Sequence, residues 1–148
     1  MVYSLFTCAR NWTDKGVYTI LIFFLPRSGF VQQYIQHSYA FYKEARQKLR
    51  DLYVELENRD VDCIVFYGAS DLAEIAYISL QETNIKLVAV VDEQKNGQRF
   101  MRYTVEHPDR LKAFAFDKIL ITSFNSAELI MQKIADLGIP VESVVQLS

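Results

Sequence analysis

The stretch CIVFYGASDLAEIAYISL, residues 63–80, decides the fold of this 148-residue chain. Its first five residues form a continuous apolar run, which is typical of a strand buried on both faces of a parallel sheet, and Gly68 interrupts that run. The residues that follow place apolar side chains at helical spacing as far as Leu80. Residues 86–91 form a second apolar run, so the stretch predicts a strand–helix–strand unit.

The alternation of strands and helices continues to the end of the chain. Residues 93–102 are polar and predict a loop, with a short strand around residues 102–105, and Pro108 suits the first turn of a helix that runs to about residue 112. Residues 117–122 predict the next buried strand, and residues 141–147 predict the last one. Between those two strands, Asn125 or Ser126 can cap a helix that ends at Gly138 and carries four apolar residues, namely Leu129, Ile130, Ile134 and Leu137.

A long helix is predicted before this α/β part. Residues 31–58 contain neither glycine nor proline, and seven positions fit a heptad register, namely Ile35, Ser38, Tyr42, Ala45, Leu49, Leu52 and Leu56. The pattern has two interpretations, a coiled-coil seam that forms a homodimer and a single helix packed on its own domain. The predicted architecture is therefore an α/β class protein with a Rossmann-like parallel sheet and flanking helices, preceded by this helix and a short N-terminal strand or hairpin.

Three segments follow from these patterns. Residues 1–30 form an irregular or strand-like segment, residues 31–59 a linker or dimerisation helix, and residues 60–148 a Rossmann-like ligand-binding domain. Charge is unevenly spread, because residues 1–50 hold seven Lys and Arg against two acids, whereas residues 51–148 hold nine against sixteen. The basic end is compatible with nucleic-acid contact or with a solvated helix face.

Composition favours a cytoplasmic protein that makes no membrane contact. Hydrophobic residues make up 51% of the chain, which is enough for a sizeable core. The longest apolar run, residues 17–25, is much shorter than the roughly 20 residues that a membrane helix needs. The two cysteines, Cys8 and Cys63, have no metal-binding or redox spacing.

The turn after the first strand is the most informative candidate site. In the dinucleotide fingerprint G-x-G-x-x-G/A, the three small residues make a tight turn, admit the pyrophosphate and allow close helix packing. Here these positions hold Gly68, Ser70 and Ala73, and the Ser70 hydroxyl could itself bond a phosphate. The start of the helix adds free N–H groups and a positive dipole end, whereas Asp71 places an anion beside them.

Three more residues at the same edge of the sheet support a nucleotide site. Asp92 ends the second strand, where an acidic side chain would accept hydrogen bonds from a ribose diol, and Thr122 and Ser123 end the strand segment at residues 117–122. The alternative is an empty scaffold in which Gly68 only makes a turn and Asp92 is only a capping residue. The predicted ligand contacts are Gly68, Ala69, Ser70, Asp71, Leu72, Asp92, Thr122 and Ser123.

No catalytic residue and no metal site are predicted. Tyr39 and Lys43 spell Y-x-x-x-K, the catalytic pair of short-chain dehydrogenases, but they precede the fingerprint and lie in the long helix. His37 and His107 have no cysteine or carboxylate at ligand spacing. The chain contains no G-x-S-x-G, P-loop or H-E-x-x-H motif, which favours a non-catalytic protein without excluding an enzyme.

The three segments CIVFYGASDLAEIAYISL, LVAVVDEQKNGQRFMRYTV and FDKILITS resemble the Rossmann-like domain of bacterial polysaccharide-biosynthesis proteins that act on nucleotide sugars. In that family the pattern is strand, Y-G-A-G, helix and a strand that ends in a V-D-D/E turn. This sequence departs from the pattern at Ser70, and residues 102–105 replace the usual G-x-P-V-like strand. The resemblance implies NAD, a nucleotide sugar or coenzyme A as the ligand.

The sequences LPRSGF, residues 25–30, and FYKEAR, residues 41–46, resemble the wing and linker of bacterial winged-helix transcriptional regulators. No complete helix-turn-helix fits into the first 25 residues, so DNA contact is expected only through a domain not evident in this chain. The resemblance implies a sensor domain in the C-terminal part of such a regulator. Two alternatives remain, the cofactor-binding domain of a nucleotide-sugar-modifying enzyme and an oligomerisation module with an empty scaffold.

Overall fold

The computed structural model describes the backbone of residues 29–148 and the side chains of residues 33–148. The predicted N-terminal strand or hairpin and wing-like segment, residues 1–28, lie outside the described residues. The chain divides into two compact units, Met1–Glu44 and Ala45–Ser148. In chain order the helices and strands are α1 (Gly29–Asn58), β1 (Cys63–Tyr67), α2 (Asp71–Leu80), β2 (Lys86–Val91), β3 (Arg99–Phe100), β4 (Tyr103–Thr104), β5 (Lys118–Ile121), α3 (Ala127–Asp136) and β6 (Val144–Gln146).

A parallel sheet forms the centre of the second unit. Among the described residues it has four strands in the order β2-β1-β5-β6. The chain passes from β1 outward to β2 and then returns to the opposite side of β1 to form β5, so the strand order reverses between β1 and β5. In α/β sheets of this kind, ligands bind outside the carboxyl ends of the strands at such a reversal. The predicted Rossmann-like α/β fold is confirmed.

One face of the sheet packs on the later helices. Side chains alternate between faces along a strand, and Val65, Ile119 and Ile121 point to the face where Ile130 and Ile134 of α3 are buried. A 3-10 helix, Pro108–Ala113, adds the fully buried Leu111 to the same cluster, where a helix as far as residue 112 was predicted. Together these residues form an apolar core on one side of the sheet.

The other face carries Ile64, Phe66, Val90 and Leu120, all with 0% exposure. The buried residues of α2, such as Ala73 and Ala76, are not part of the first core and therefore pack on this second face. Helix α1 lies beside α2, because the Tyr53 hydroxyl donates to the Ala76 carbonyl oxygen at 2.9 Å. Helices thus cover both faces of the sheet.

The second half of α1 belongs to this domain. Ala45, Leu49, Tyr53 and Leu56 are buried within the chain, and their spacing of three or four residues keeps them on one helical face. Leu52, which the heptad register places on the seam, is only half-buried. From residue 45 onward, the interpretation as a helix packed on its own domain therefore describes the structure, because burial follows the 3.6-residue helical period.

Ion pairs attach α1 to the turn after α2. Arg50 donates to Glu82 at 2.9 and 3.0 Å, and Arg46 donates to the same carboxylate. The hydrogen bond from Arg50, followed by that from Arg46, holds the pKa of Glu82 below its usual range. The Glu57 carboxylate accepts from the backbone N–H of Asn84 at 2.8 Å, so two acidic groups hold the start of the β2 segment against α1.

A small hairpin occupies the predicted loop. Residues Arg99–Phe100 pair with Tyr103–Thr104, so the sequence prediction missed the first of these strands. The turn places Met101 at φ +51°, a conformation that apolar residues rarely adopt. The ring of Tyr77 meets those of Phe100 and Tyr103 edge to face, with centroids 6.4 and 6.2 Å apart. This tertiary packing explains how two very short strands form in a polar segment.

Two predictions for the C-terminal part are wrong in detail. Leu129 was placed on the apolar face of α3, yet it is 60% exposed, because it lies about 100° around the helix from the buried Ile130. Residues 141–147 were predicted as one strand, but Val141–Ser143 form a 3-10 turn and only Val144–Gln146 pair with β5. Ser126 is the N-cap residue of α3, although its side chain makes no capping hydrogen bond.

Candidate functional site

The turn after β1 is closed by the segment that follows β5. Gly68 adopts φ +112° and donates its N–H to the Val91 carbonyl oxygen at 2.8 Å. A Cβ at this position would lie 2.7 Å from the N, Cα and Cβ atoms of Ser123. Only glycine allows so close an approach of the two segments. Ser123 therefore occupies the space next to Gly68, the first glycine of the fingerprint.

Ser70 uses its hydroxyl inside the protein. The residue is the N-cap of α2, and its Oγ accepts from the Leu72 N–H at 3.2 Å while donating to the Thr122 carbonyl oxygen. A serine hydroxyl has a single hydrogen to donate. In this arrangement Ser70 therefore has no O–H left for a phosphate, contrary to the expectation from sequence.

Thr122 binds the backbone of the turn through its hydroxyl group. It is fully buried, and its Oγ1 donates to the Gly68 carbonyl oxygen at 2.6 Å, with the Tyr67 carbonyl oxygen at 3.2 Å. A side chain with 0% exposure offers no surface to a ligand. Thr122 therefore shapes the predicted site and does not line it.

Asp92 joins the turn to the loop after β2. Its Oδ2 accepts from the Ala69 N–H at 2.9 Å, and its Oδ1 accepts from the N–H groups of Gln94 and Lys95 at 2.8 and 3.1 Å. The Lys95 ammonium adds a second hydrogen bond between this loop and the turn by donating to the Ala69 carbonyl oxygen. A carboxylate has about four lone-pair positions, and three of them are used here. Asp92 thus retains too few acceptor positions to take both hydroxyls of a ribose diol.

Three of the eight predicted contact residues meet in one cleft of about 190 Å³ at the carboxyl edge of the sheet, namely Gly68, Asp92 and Ser123. The other five do not line it: Ala69 is buried, Leu72 is half-buried, and Asp71 lies exposed in the first turn of α2. The remaining lining residues come from the ends of β1 and β2 and from the start and middle of α3, namely Tyr67, Glu93, Gln94, Asn125, Ser126, Leu129, Ile130 and Lys133.

An ion pair crosses this cleft from the end of β2 to α3. The Lys133 ammonium donates to both oxygens of Glu93, at 2.7 and 2.8 Å. The Tyr67 hydroxyl lies 3.5 Å from the Oε1 atom of Glu93. Burial, followed by the charge of Glu93, raises the pKa of Tyr67 to about 12, so the phenol stays protonated. Sequence reasoning missed Glu93 and Lys133, although Glu93 directly follows the predicted acidic position.

Other candidate motifs do not form a site. Lys43 lies over the Tyr39 ring, 5.5 Å from its centroid, within α1. The His107 Nδ1 accepts from the Asp109 N–H at 3.3 Å and caps the 3-10 helix. Among residues 33–148, no group of three or more His, Cys, Asp or Glu side chains could hold a metal ion. The helices of this described part include none long and apolar enough to cross a membrane.

Comparison with known proteins shows the family of this chain and a solved structure to which it is similar. No curated protein matches the sequence. A crystal structure of UDP-D-quinovosamine 4-dehydrogenase from Vibrio fischeri is similar over 58% of this chain and 77% of that chain, with 18% identity and a TM-score of 0.46. The family model described as C2185-like, N-terminal, matches residues 60–145, which is more than half of the sequence. The chain therefore belongs to the C2185-like, N-terminal family.

Proposed function

We propose that residues 60–148 form a non-catalytic sensor domain that binds a nucleotide-type ligand in the cleft between Gly68 and α3. The observation that carries this proposal is the position of the cleft, at the carboxyl edge of the sheet where the strand order reverses. Open α/β sheets bind their ligands at this place. Gly68, Asp92 and Ser123, all predicted from sequence as ligand contacts, line it.

The lining suits a ligand with both polar and apolar parts. Asn125, Ser126 and the Glu93–Lys133 pair provide hydrogen-bond donors and acceptors, whereas the exposed Leu129 provides an apolar edge. Binding sites for small molecules commonly combine a few placed polar groups with apolar walls. A nucleotide has this mixed character.

The ionisable groups of the cleft support binding more than catalysis. A general acid or base works best when its pKa lies near the operating pH, and the pKa of Tyr67 is raised to about 12. Glu93 is paired with Lys133, and Asp92 accepts three backbone hydrogen bonds. Tyr67 is thus poorly matched to proton transfer, and Glu93 and Asp92 already accept hydrogen bonds within the protein.

The closed turn restricts how the ligand lies. Because Ser123 lies against Gly68 and the Ser70 hydroxyl bonds Thr122, a pyrophosphate does not fit in the manner of the dinucleotide fingerprint. NAD, coenzyme A and nucleotide sugars remain the candidate ligands, each with its phosphates outside the turn.

A regulatory role completes the proposal. We infer that the protein is the C-terminal part of a bacterial transcriptional regulator that dimerises through the helix at residues 31–58, with DNA contact made elsewhere. Leu49 and Leu56 already pack inside their own domain, so such a seam would use earlier heptad positions such as Ile35 and Ser38. Ile35→Asp should then lower the mass of the protein in solution from a dimer to a monomer.

A thermal-shift panel tests ligand binding. NAD(H), NADP(H), coenzyme A, ATP and several UDP-sugars are added to the full chain, and one of them should raise its melting temperature. Ser126→Trp should abolish this stabilisation by filling the cleft, since the Ser126 side chain makes no capping bond. Gln132→Trp, at an exposed position of α3 that does not line the cleft, is the matched control.

The outcomes separate the three functions. Stabilisation that Ser126→Trp removes and Gln132→Trp retains supports a binding domain. A flat panel refutes it and leaves an oligomerisation module with an empty scaffold. Turnover of a UDP-sugar by the chain would instead assign it to nucleotide-sugar modification.

A further inference from the structure

We propose that Glu93 and Lys133 together bind the vicinal diol of a sugar ring, the role that sequence position alone would give to Asp92. This inference rests on the proposed nucleotide site and names the part of the ligand that the cleft recognises. It starts from the hydrogen-bond capacity of the two neighbouring carboxylates. Asp92 has three of its four acceptor positions filled by backbone N–H groups.

Glu93 retains the capacity that Asp92 lacks. Its Oε2 accepts one hydrogen bond, from Lys133 at 2.8 Å, and its Oε1 accepts from Lys133 at 2.7 Å with the Tyr67 hydroxyl at 3.5 Å. A carboxylate has about four lone-pair positions, and the two hydrogen bonds from Lys133 leave two of them on Glu93, one of which holds only the long Tyr67 contact. The side chain is 42% exposed and lines the cleft, where a ligand can reach it.

Lys133 supplies the complementary donor. An ammonium group has three N–H bonds, and two of those on Lys133 are directed at Glu93. A free N–H and a free carboxylate lone pair thus lie side by side. A hydroxyl both donates and accepts, so it can bond to the two groups at once without separating them, and a second adjacent hydroxyl can take the place of the weak Tyr67 contact.

Because the pair is exposed, a ligand can shift its hydrogen bonds with little loss of stability. The Glu93 and Lys133 side chains are 42% and 51% exposed. Ion pairs at exposed positions contribute little to stability. The pair therefore costs the fold little if a ligand shifts it, which suits a contact that must open and close.

Binding measurements on the full chain test the inference with two series of probes. The uridine series is UDP-glucose, UDP and 2′,3′-dideoxy-UDP, and the adenosine series is NAD⁺, ATP and 2′,3′-dideoxy-ATP. Glu93→Gln keeps the size of the side chain and removes its charge. Because it loses a hydrogen bond to a charged group, this variant should bind diol-containing probes roughly 10- to 100-fold more weakly.

The probes distinguish which sugar supplies the diol. If the ribose diol is bound, Glu93→Gln weakens UDP-glucose and UDP equally and leaves the dideoxy probe unchanged. If the hexose is bound, only UDP-glucose is weakened. Lys133→Gln should weaken binding of the same probes as Glu93→Gln. Glu142→Gln is the control, because Glu142 is exposed and does not line the cleft, and it should weaken binding of none.

Two results overturn the inference, and they differ from each other. If Glu93→Gln binds each probe as tightly as the wild-type chain does, or also binds the dideoxy probes more weakly, the diol assignment fails while the nucleotide site stands. If the wild-type chain binds none of the six probes, the proposed function fails together with the inference. Circular dichroism of each variant checks that the fold is retained.

Discussion

Replacing Gly68 with alanine should destabilise the domain strongly, because two separate costs act at that position. The residue adopts φ +112°, and an L side chain in the left-handed region costs about 1–2 kcal/mol. The added Cβ would also lie 2.7 Å from three atoms of Ser123, and overpacking of this kind costs about 1–3 kcal/mol. The expected loss is therefore about 2–5 kcal/mol, a large part of the roughly 5–15 kcal/mol that stabilises a typical domain.

Gly97→Ala is the matched control for this variant. Gly97 adopts φ +81°, but a Cβ there would have no heavy atom within 4 Å. Its substitution should cost only the backbone strain, about 1–2 kcal/mol. The additional loss in Gly68→Ala then measures the contact with Ser123, together with any extra strain from the larger φ angle.

Urea denaturation followed by circular dichroism measures both changes in the free energy of unfolding. A Ser123→Gly background sharpens the test, because two of the three close atoms belong to the backbone of Ser123 and remain after the substitution. The double variant should recover only a minor part of the loss. Equal losses in Gly68→Ala and Gly97→Ala, or full recovery in the double variant, would show that the backbone of Ser123 does not close this turn.

Three further substitutions probe the fold. Ser79→Ala should raise the free energy of unfolding by about 1 kcal/mol, since the Ser79 hydroxyl is buried without a hydrogen-bond partner; a loss in urea denaturation would contradict this. Asp117→Ala should lower it by about 1–3 kcal/mol, because the carboxylate accepts from the N–H groups of Asp62 and Cys63, both at 2.9 Å; Asp117→Asn, which keeps an acceptor oxygen, should lose less, and an unchanged free energy of unfolding in Asp117→Ala would contradict this. Met101→Asn should raise the melting temperature, with a gain of about 0.5–1 kcal/mol, because asparagine tolerates the φ of +51° better than methionine; an unchanged melting temperature would show that the turn carries no strain.

The sequence alone was sufficient to predict the two strands that begin the sheet. The boundaries of Cys63–Tyr67 and Lys86–Val91 agree with the predicted runs. Strands buried on both faces consist of continuous apolar residues, and this information is local. The turn at Gly68 was predictable for the same reason, since it depends on a few neighbouring residues.

Helix α1 shows where local patterns become ambiguous. The same apolar residues satisfy a heptad register and a 3.6-residue period over three turns. Only the tertiary structure decides between them, because it buries Tyr53 against α2 and leaves Leu52 half-buried. A partner surface, which is remote in sequence, selects the face that a helix buries.

The sequence by itself thus determined the α/β class, the two strands that begin the sheet and the edge at which a ligand would bind. Tertiary structure alone decided which side chains are available there. Asp92 and Ser70 occupy the predicted positions, yet their oxygens bond backbone groups within the protein, whereas Glu93 meets Lys133 from 40 residues away. The physical reason is that a hydrogen-bonding group can serve a ligand only with the capacity that its folded neighbours leave, and those neighbours are brought together by folding.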